Sequence, residues 1–355
     1  MTVTTGLPRP VLDDSVRLTD DGVAILDRRT FPAREEWVLA RDAQEVAEAI
    51  RAMVTQSSGP LFAAAAGLAL TGRQIADRRV DDARATLASA GTALTIARPT
   101  NNHVRDAVTA VLTAPDVVRA ASSAQLAEAV EAAAAAVAAD YRARSAALGA
   151  ATVELLPEGA RVLTHCWMDT YLVELVRAAA AAGRQYTWIA TETRPYLQGA
   201  RLTAHTLAEM GQDVTLVTDG MVAAALAPGS SLGPVDALVT AADRVTMDGH
   251  VINKVGTLGH AVAAAAFDVP FLALVQAPDP QAATVADVVV EERDGLEVLS
   301  VLGARSASPL VERGWYPAFD VTPPRWVTTI VTDRGPFAPD RVAQYHQDEA
   351  HRSSR

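Results

Sequence analysis

The sequence predicts an α/β protein, in which a mostly helical N-terminal domain with a small β-hairpin precedes a doubly wound domain built on a parallel sheet. Two observations predict this class. From Asp42 to about Gly149 apolar residues recur at helical spacing, and after Leu156 short apolar runs alternate with helical segments. Such alternation is typical of a parallel sheet covered by helices. We therefore expect one domain over residues 1–150 and a second over 151–355.

The N-terminal half begins with a hairpin pattern. Two apolar-alternating runs within residues 16–27 flank Asp20-Asp21-Gly22, a sequence typical of a tight turn. Asp42 precedes a segment whose apolar residues lie three and four apart, which predicts a helix with Asp42 as its N-cap. The alanine-rich stretch from Ser123 to Gly149 has high helix propensity and few breakers, so it predicts one long packing helix.

The C-terminal half has the strand and helix alternation of a Rossmann-like domain. The predicted strands are Arg161–Thr164, Tyr186–Ile189, Val214–Val217, Ala237–Val239 and Pro270–Val275. The predicted helices are Thr170–Gly183, Gln198–Met210, Met221–Ala227 and Gly256–Phe267. After Pro339 the chain is polar, and we expect Gln344–Arg355 to be frayed.

Composition limits the classes of function. Half of the 355 residues are hydrophobic and 21% are charged, which fits a globular protein with a substantial core. The net charge of −11 argues against a nucleic-acid binder with a broad basic surface. A single cysteine excludes an intrachain disulfide and a cysteine-rich metal site, so we expect a reducing, cytoplasmic setting. The sequence begins without a signal-peptide pattern, and its apolar runs are too short to cross a membrane.

Polar residues cluster directly after three of the predicted strands. They are Thr164, His165 and Cys166, then Thr191 to Thr203 with Gln198 among them, and last Asp243 with Asn253 and Lys254. Because parallel strands end at the same edge of a sheet, we expect these groups to share one ligand site. A thiol and a carboxylate that face each other can exchange protons with a ligand, so Cys166 and Asp243 are a candidate acid–base pair. A free cysteine is more often a small apolar filler, and only the clustering favours a functional role.

Basic residues near this edge suit an anionic ligand. Arg194, Arg201 and Lys254 have the charge to neutralise a phosphate, although each alone is more often a solvated or ion-paired group. The sequence predicts no dinucleotide cofactor, because no Gly-x-Gly-x-x-Gly follows the first strand of this domain. No histidine spacing predicts a metal. His103 and His165 lie near the proposed site, where a structural role is at least as common.

Several motifs, taken in their order along the chain, resemble one known family. They are Val23–Pro32, Ala97–Thr100, Glu192–Thr203, Ala242–Arg244, Asn253–Thr257 and Tyr316–Pro323. In this order they resemble the S-methyl-5-thioribose-1-phosphate isomerases of methionine salvage. That family shares a superfamily with ribose-1,5-bisphosphate isomerases and with regulatory subunits of the translation initiation exchange factor. The resemblance covers nearly the whole chain.

The resemblance implies an enzyme that isomerises an aldose 1-phosphate to a ketose 1-phosphate, and the absence of cofactor and metal motifs predicts that it uses no cofactor and no metal. By resemblance, Cys166 and Asp243 are the catalytic pair. The residues that hold the phosphate and the sugar hydroxyls are then Arg98, Gln198, Asn253 and Lys254. The resemblance also implies a homodimer that binds a small sugar phosphate and neither nucleic acid nor membrane.

Two segments depart from the family pattern. Ser57 stands where the family usually has an arginine, and Trp167-Met168-Asp169 replaces a small, flexible run after the cysteine. Three interpretations therefore stay open. The substrate is methylthioribose 1-phosphate, or it is another 5-modified pentose 1-phosphate such as 5-deoxyribose 1-phosphate or ribose 1,5-bisphosphate, or the protein is a non-catalytic, exchange-factor-like regulator. Transfer of hydrogen through an enediol and transfer as a hydride also remain alternatives.

Overall fold

The structure, a computed structural model, describes residues 15–98 and 102–347. Its described residues divide into two units, one within 15–143 and the other within 144–347. The division falls inside a long helix, a few residues before the point near 150 at which we expected it. Among the described residues, no helix is both long and apolar enough to span a bilayer.

The first unit begins with three short antiparallel strands, β1 (Val16–Leu18), β2 (Val23–Leu26) and β3 (Trp37–Ala40). Strands β1 and β2 form the predicted hairpin, with Val16 opposite Ile25. Gly22 in the turn has φ = 146°, and a Cβ there would lie 2.3 Å from the carbonyl oxygen of Ala40. Only glycine fits that turn, so the Asp-Asp-Gly signal has a steric basis. The third strand was not predicted.

The helices that follow are α1 (Ala43–Arg51), α2 (Gly59–Ile75), α3 (Val80–Ala97), α4 (Asn102–Leu112), α5 (Pro115–Arg119) and α6 (Ser123–Val153). Asp42 caps α1 as predicted, since its carboxylate accepts the backbone N–H of Glu45 over 2.8 Å. Helix α6 is the predicted long helix, and it continues from the first unit into the second.

The second unit is built on a seven-stranded sheet. Its strands are β4 (Arg161–Thr164), β5 (Thr187–Thr191), β6 (Asp213–Val217), β7 (Ala237–Ala241), β10 (Phe271–Leu274), β14 (Thr329–Thr332) and β15 (Gly335–Phe337). They lie in the order β15-β14-β10-β7-β4-β5-β6, and only β15 is antiparallel to its neighbour. After β4 the chain adds β5 and β6 on one side of that strand. It then crosses to the other side of β4, where it adds β7.

Four helical segments connect these strands. They are α7 (Thr170–Ala181), a π-helix (Gly199–Thr203) continued by α8 (Ala204–Glu209), α9 (Val222–Leu226) and α10 (Thr257–Ala266). All five predicted strands and four predicted helices are present, with bounds shifted by a few residues. The π-helix replaces the first part of the helix that we predicted from Gln198.

Short strands outside the main sheet were not predicted. Strands β8 (Arg244–Val245), β9 (Val251–Lys254) and β13 (Phe319–Thr322) form a small antiparallel sheet in the order β13-β9-β8. Strands β11 (Ser300–Val301) and β12 (Ala304–Arg305) form a separate pair. We expected Asn253 and Lys254 at the edge of the main sheet, but they lie on β9. Its pairing with β13 joins segments far apart in sequence, which local patterns do not reveal.

The expectation of fraying from Gln344 onward is wrong for residues 344–347. Tyr345 is buried, and its hydroxyl donates to Asp333 over 2.8 Å. His346 contacts the carbonyl oxygen of Pro278 at 3.0 Å. The segment is polar overall, but it contains one aromatic side chain that packs into the protein. Residues 348–355 lie outside the described range.

Candidate active site

Cys166 lies two residues beyond the end of β4, as the sequence predicts. Its backbone adopts φ = 65°, in the left-handed region. The N–H of Cys166 donates to the hydroxyl of Thr193 over 3.0 Å, and its carbonyl accepts a short hydrogen bond from the hydroxyl of Thr203. Both threonines come from the segment that follows β5, the neighbouring strand. Two side chains, one from the loop after β5 and one from the π-helix that follows, thus hold the peptide groups on both sides of the cysteine.

The thiol of Cys166 is protonated at neutral pH. The residue is partly accessible, but the protein around its sulfur raises the pKa to about 12 by desolvation. The positive charge of Lys254 lowers that pKa, whereas the carboxylates of Asp243 and Asp219 raise it. These three groups therefore lie close enough for their charges to act on the thiol.

Asp243 follows β7, which pairs directly with β4 through Leu163 and Leu238. Its side chain is exposed, in contrast to the desolvated thiol. The next residue, Arg244, forms a largely buried ion pair with Asp279 at 3.3 Å, which ties down the segment. The thiol and the carboxylate therefore follow adjacent parallel strands and differ in solvation, as a proton donor and a proton acceptor should.

Lys254 and Asn253 are both buried at the end of β9. The Lys254 ammonium lies 4.5 Å from the centroid of the Phe319 ring, on the paired strand β13. The Asn253 amide donates to Thr257 over 3.0 Å, at the start of α10. Lys254 is thus a desolvated cation near the thiol, while the amide nitrogen of Asn253 holds the turn that follows it.

Asp320 is a site residue that the sequence analysis did not single out, although it lies within the Tyr316–Pro323 motif. It accepts the backbone N–H groups of Gly256, over 2.7 Å, and Leu258, over 3.1 Å, where α10 begins. Burial raises its pKa to about 6, while these hydrogen bonds and the charge of Lys254 oppose the rise. The carboxyl group therefore anchors the turn that carries Lys254.

Gln198 immediately precedes the π-helix and is buried. Its side-chain oxygen has no hydrogen-bond partner within the described ranges. Buried amide oxygens are normally satisfied, so this atom is suited to accept a ligand hydroxyl. A π-helix is frequent at functional sites, and here it delivers both Gln198 and Thr203 to the end of β4 and β5.

Arg194 and Arg201, which we selected for their charge, both donate to backbone carbonyl oxygens. The Arg194 guanidinium donates to the carbonyl oxygens of Ser300, over 2.9 Å, and Val298, over 3.0 Å. The Arg201 guanidinium donates to the carbonyl oxygen of Tyr196 over 2.7 Å and lies over its ring. Both guanidinium groups therefore hold backbone segments in place. The sequence alone does not reveal which carbonyl oxygens they bind.

Two buried histidines and Asp219 lie beside the cysteine. His165 contacts the Val255 carbonyl oxygen through Nε2 at 3.0 Å, and Thr191 Oγ1 through Nδ1 at 2.6 Å. His260 Nε2 lies 3.2 Å from His165 Nδ1. Burial lowers the pKa of His165 to about 4 and that of His260 to about 3. Both rings are therefore neutral, and His260, at the second turn of α10, carries no local sequence signal.

The three residues after Cys166 are packed inside the protein. Trp167 is 4% exposed, Met168 is 1% exposed and Asp169 is fully buried. Asp169 has φ = 53° and precedes α7. A large aromatic side chain and a carboxylate are thus buried directly after the cysteine.

Two other candidate positions belong to the first unit. Arg98 ends α3, and its buried Nη1 has no hydrogen-bond partner in the described part of the chain. Pro99 and Thr100, which complete its motif, lie outside the described residues. Ser57 has φ = 58° in the turn before α2. His103, in α4, packs edge-on against Tyr141.

Comparisons with known proteins agree on one family. A model described as the initiation factor 2 subunit family matches residues 56–339. The chain is 35% identical over 337 residues to a methylthioribose-1-phosphate isomerase from Pelotomaculum thermopropionicum, covering 92% of this chain and 91% of the relative. A solved 5-methylthioribose 1-phosphate isomerase from Pyrococcus horikoshii is 27% identical, with a TM-score of 0.85 and 99% coverage of both chains. A translation initiation factor eIF-2B subunit delta from A. fulgidus is 32% identical, with a TM-score of 0.79 and coverages of 92% and 96%.

Proposed function

The chain belongs to the initiation factor 2 subunit family, and from this premise we propose that it is an aldose–ketose isomerase. It converts S-methyl-5-thioribose 1-phosphate to S-methyl-5-thioribulose 1-phosphate, a step of methionine salvage. Relatives that carry the name of this activity match it over nearly their whole length. The named substrate is a small sugar phosphate, and the buried Lys254 supplies a positive charge for such an anion.

The position of Cys166 and Asp243 carries this proposal. They follow β4 and β7, neighbouring parallel strands between which the chain reverses the direction in which it adds strands. Open α/β sheets bind ligands in the crevice at that switch point, outside the carboxyl ends of the strands. We infer the doubly wound arrangement, with helices on both faces, from the same strand order.

The chemistry of the substrate requires one group that gives a proton and one that accepts it. The phosphate blocks the anomeric oxygen, so ring opening needs a proton on the ring oxygen as its bond to C1 breaks. The protonated thiol of Cys166 is suited to donate it. Asp243, exposed and beside the thiol, then accepts a proton from C2, or from the C2 hydroxyl if hydrogen migrates from C2 to C1 as a hydride. In the first route Asp243 returns that proton to C1, and the C2 hydroxyl gives its proton to the thiolate of Cys166 as the carbonyl forms. In the hydride route Asp243 takes the C2 hydroxyl proton and passes it to the thiolate, so both routes end in the same ketose and restore the protonated thiol.

The other predicted residues have supporting roles in this proposal. Lys254 supplies a desolvated positive charge for the anionic substrate. The unsatisfied oxygen of Gln198 accepts a sugar hydroxyl, and Asn253 fixes the turn behind Lys254. Arg98 is a phosphate ligand by resemblance, supported by its buried Nη1, which has no hydrogen-bond partner among residues 15–98 and 102–347. The proposal includes a cytoplasmic homodimer.

The principal alternative is a non-catalytic regulator, because the A. fulgidus structure that resembles this chain is named as a translation factor subunit. A regulator needs no proton-handling pair. A thiol kept protonated next to an exposed carboxylate therefore favours catalysis. A different substituent at C5 of the sugar is the second alternative, raised by Trp167 and its neighbours.

One assay separates these possibilities. The purified chain is incubated separately with methylthioribose 1-phosphate, 5-deoxyribose 1-phosphate and ribose 1,5-bisphosphate, each labelled with ¹³C at C2, and the ketose carbonyl is followed by NMR. We expect the highest kcat/KM for methylthioribose 1-phosphate. A higher value for another sugar reassigns the substrate, and no turnover of any sugar overturns the proposal. Deuterium from D₂O at C1 of the product identifies the enediol route.

A further inference from the structure

His165, His260 and Asp219 offer three metal-ligating atoms within 4.8 Å of one another. The His165 Nδ1 atom lies 3.2 Å from His260 Nε2 and 3.9 Å from Asp219 Oδ1. Two nitrogens bound to one tetrahedral Zn²⁺ at the usual bond length lie about 3.3 Å apart. The two imidazoles are therefore already spaced as ligands of one ion, and the Asp219 carboxylate needs to move closer to complete the set.

Surrounding groups orient the side chains of His165 and Asp219. The carbonyl oxygen of Val255, 3.0 Å from His165 Nε2, can only accept a hydrogen bond, so Nε2 carries the proton and Nδ1 has the free lone pair. Asp219 accepts the backbone N–H groups of Thr193, over 2.8 Å, and Arg194, over 2.6 Å. Outer hydrogen bonds of these two kinds are typical of protein metal sites.

The fold also leaves room for the ring of His165. Gly256, at φ = 109°, packs against it, and a Cβ there would lie 3.1 Å from two ring atoms. Both histidines are buried, whereas the Asp219 side chain is 26% exposed, so an ion has an entry path from the carboxylate side. The charge of Lys254 acts on His165 and opposes a cation, while Asp219 contributes a negative charge directly.

We propose that His165 Nδ1, His260 Nε2 and Asp219 Oδ1 bind one divalent transition-metal ion of the Zn²⁺ or Co²⁺ class. Two imidazoles and one carboxylate suit such ions, whereas Mg²⁺ and Ca²⁺ prefer all-oxygen sites. His260 shifts its proton from Nε2 to Nδ1 when the ion binds. The site goes beyond the proposed function, since binding requires no sugar phosphate.

Thr191 provides a variant that should strengthen metal binding rather than weaken it. Its hydroxyl lies 2.6 Å from His165 Nδ1 and occupies the same lone pair that the ion needs. Thr191→Val removes this competitor and leaves all three ligand atoms in place. We therefore expect this variant to bind the ion more tightly than the parent chain.

The experiment is equilibrium dialysis of the EDTA-treated full chain against Zn²⁺, with Co²⁺ as a spectroscopic probe. We expect one equivalent per chain, visible Co²⁺ absorption bands of a four- or five-coordinate site, and a rise in melting temperature with metal concentration. His260→Leu should weaken binding at least tenfold. His250→Leu is the matched control, because His250 pairs with Asp248 at 2.9 Å elsewhere in the unit and should leave the affinity unchanged.

Folding of each variant is checked by circular dichroism and melting without metal. Should His260→Leu fail to fold, Thr191→Val still decides the matter through its expected gain in affinity. Less than 0.2 equivalents of Zn²⁺ at 100 µM, or equal affinity in the parent, His260→Leu and Thr191→Val chains, overturns the proposal. Since sugar turnover is measured separately on EDTA-treated protein, failure here leaves the isomerase proposal intact.

Discussion

The backbone N–H of Cys166 donates a hydrogen bond to the hydroxyl of Thr193 over 3.0 Å, and this bond fixes a strained residue. Cys166 has φ = 65°, a left-handed conformation that costs a non-glycine residue roughly 1 kcal/mol or more. On its other side the Cys166 carbonyl accepts the hydroxyl of Thr203. The orientation of the thiol therefore depends on two hydroxyl groups that do not themselves carry protons to the substrate.

We expect Thr193→Val and Thr203→Val to lower kcat by about 10- to 100-fold with little change in KM, because a misplaced reacting group loses rate more than binding. Steady-state kinetics with the active sugar phosphate measures this split. Thr215→Val, on the exposed face of β6, is the matched control and should behave as the parent. Unchanged kcat in both Thr193→Val and Thr203→Val would exclude a positioning role for these two hydroxyl groups.

Replacement of either proposed proton carrier should slow the chemical step. Cys166→Ala and Asp243→Asn are each expected to reduce kcat by about 10²–10⁴-fold, the usual contribution of a general acid or base. Asp213→Asn, at the exposed start of β6 and thus at the opposite edge of the sheet, controls for loss of a carboxylate. Single-turnover kinetics checks the result, and near-parental rates in one variant would exclude that residue from the acid–base pair.

The reactivity of the lone thiol should follow its raised pKa of about 12. In EDTA-treated protein, the rate constant for alkylation of Cys166 by iodoacetamide is expected to rise about tenfold per pH unit from pH 7 to 10, since only the thiolate reacts. Lys254→Met should slow it further, because the Lys254 charge lowers the thiol pKa. A plateau of the rate near pH 9 would contradict this prediction.

Asp320 should make the folded state less stable as pH rises from about 4 to 6. Burial raises its pKa from 3.8 to about 6, so within this window the folded chain holds a proton that the unfolded chain has lost. The contribution of the group to the free energy of unfolding falls by about 3 kcal/mol across the window and is constant above it.

Urea unfolding of the parent and of Asp320→Asn at several pH values tests whether the contribution of Asp320 to the free energy of unfolding falls as pH rises. The free energy of unfolding of the parent minus that of the variant should decrease from pH 4 to 6.5. An increase would mean that the carboxylate is stabilised by the backbone N–H groups of Gly256 and Leu258 more than it is penalised by burial.

Local sequence patterns were sufficient to predict those elements that depend on nearby residues. The turn at Gly22 and the cap at Asp42 depend on residues within four positions. The apolar runs of β4, β5, β7 and β10 in the main sheet are recognisable because each is buried along most of its length. Strands β9 and β13 were missed, since each is short and is stabilised by a strand distant in sequence.

The candidate site likewise contains some residues that local sequence patterns identify and others that they do not. Cys166 and Asp243 could be selected from the sequence because both directly follow predicted strands, and parallel strands end at one edge. His260 and Asp320 could not, because neither follows a predicted strand and their contacts come from other elements. Arg194 and Arg201 were selected for charge alone, and the carbonyl groups that they bind appear only in the folded chain.

The sequence by itself determined the class of fold, the family and the two residues at the strand ends, because strand and helix periodicity and motif order are properties of the linear chain. The tertiary structure decided the environment of those residues. It determined that the thiol is desolvated and the carboxylate exposed, that Lys254 lies close to Cys166, and that two histidines meet Asp219. Burial and charge proximity depend on the order in which strands pair, and that order brings together side chains from widely separated parts of the chain.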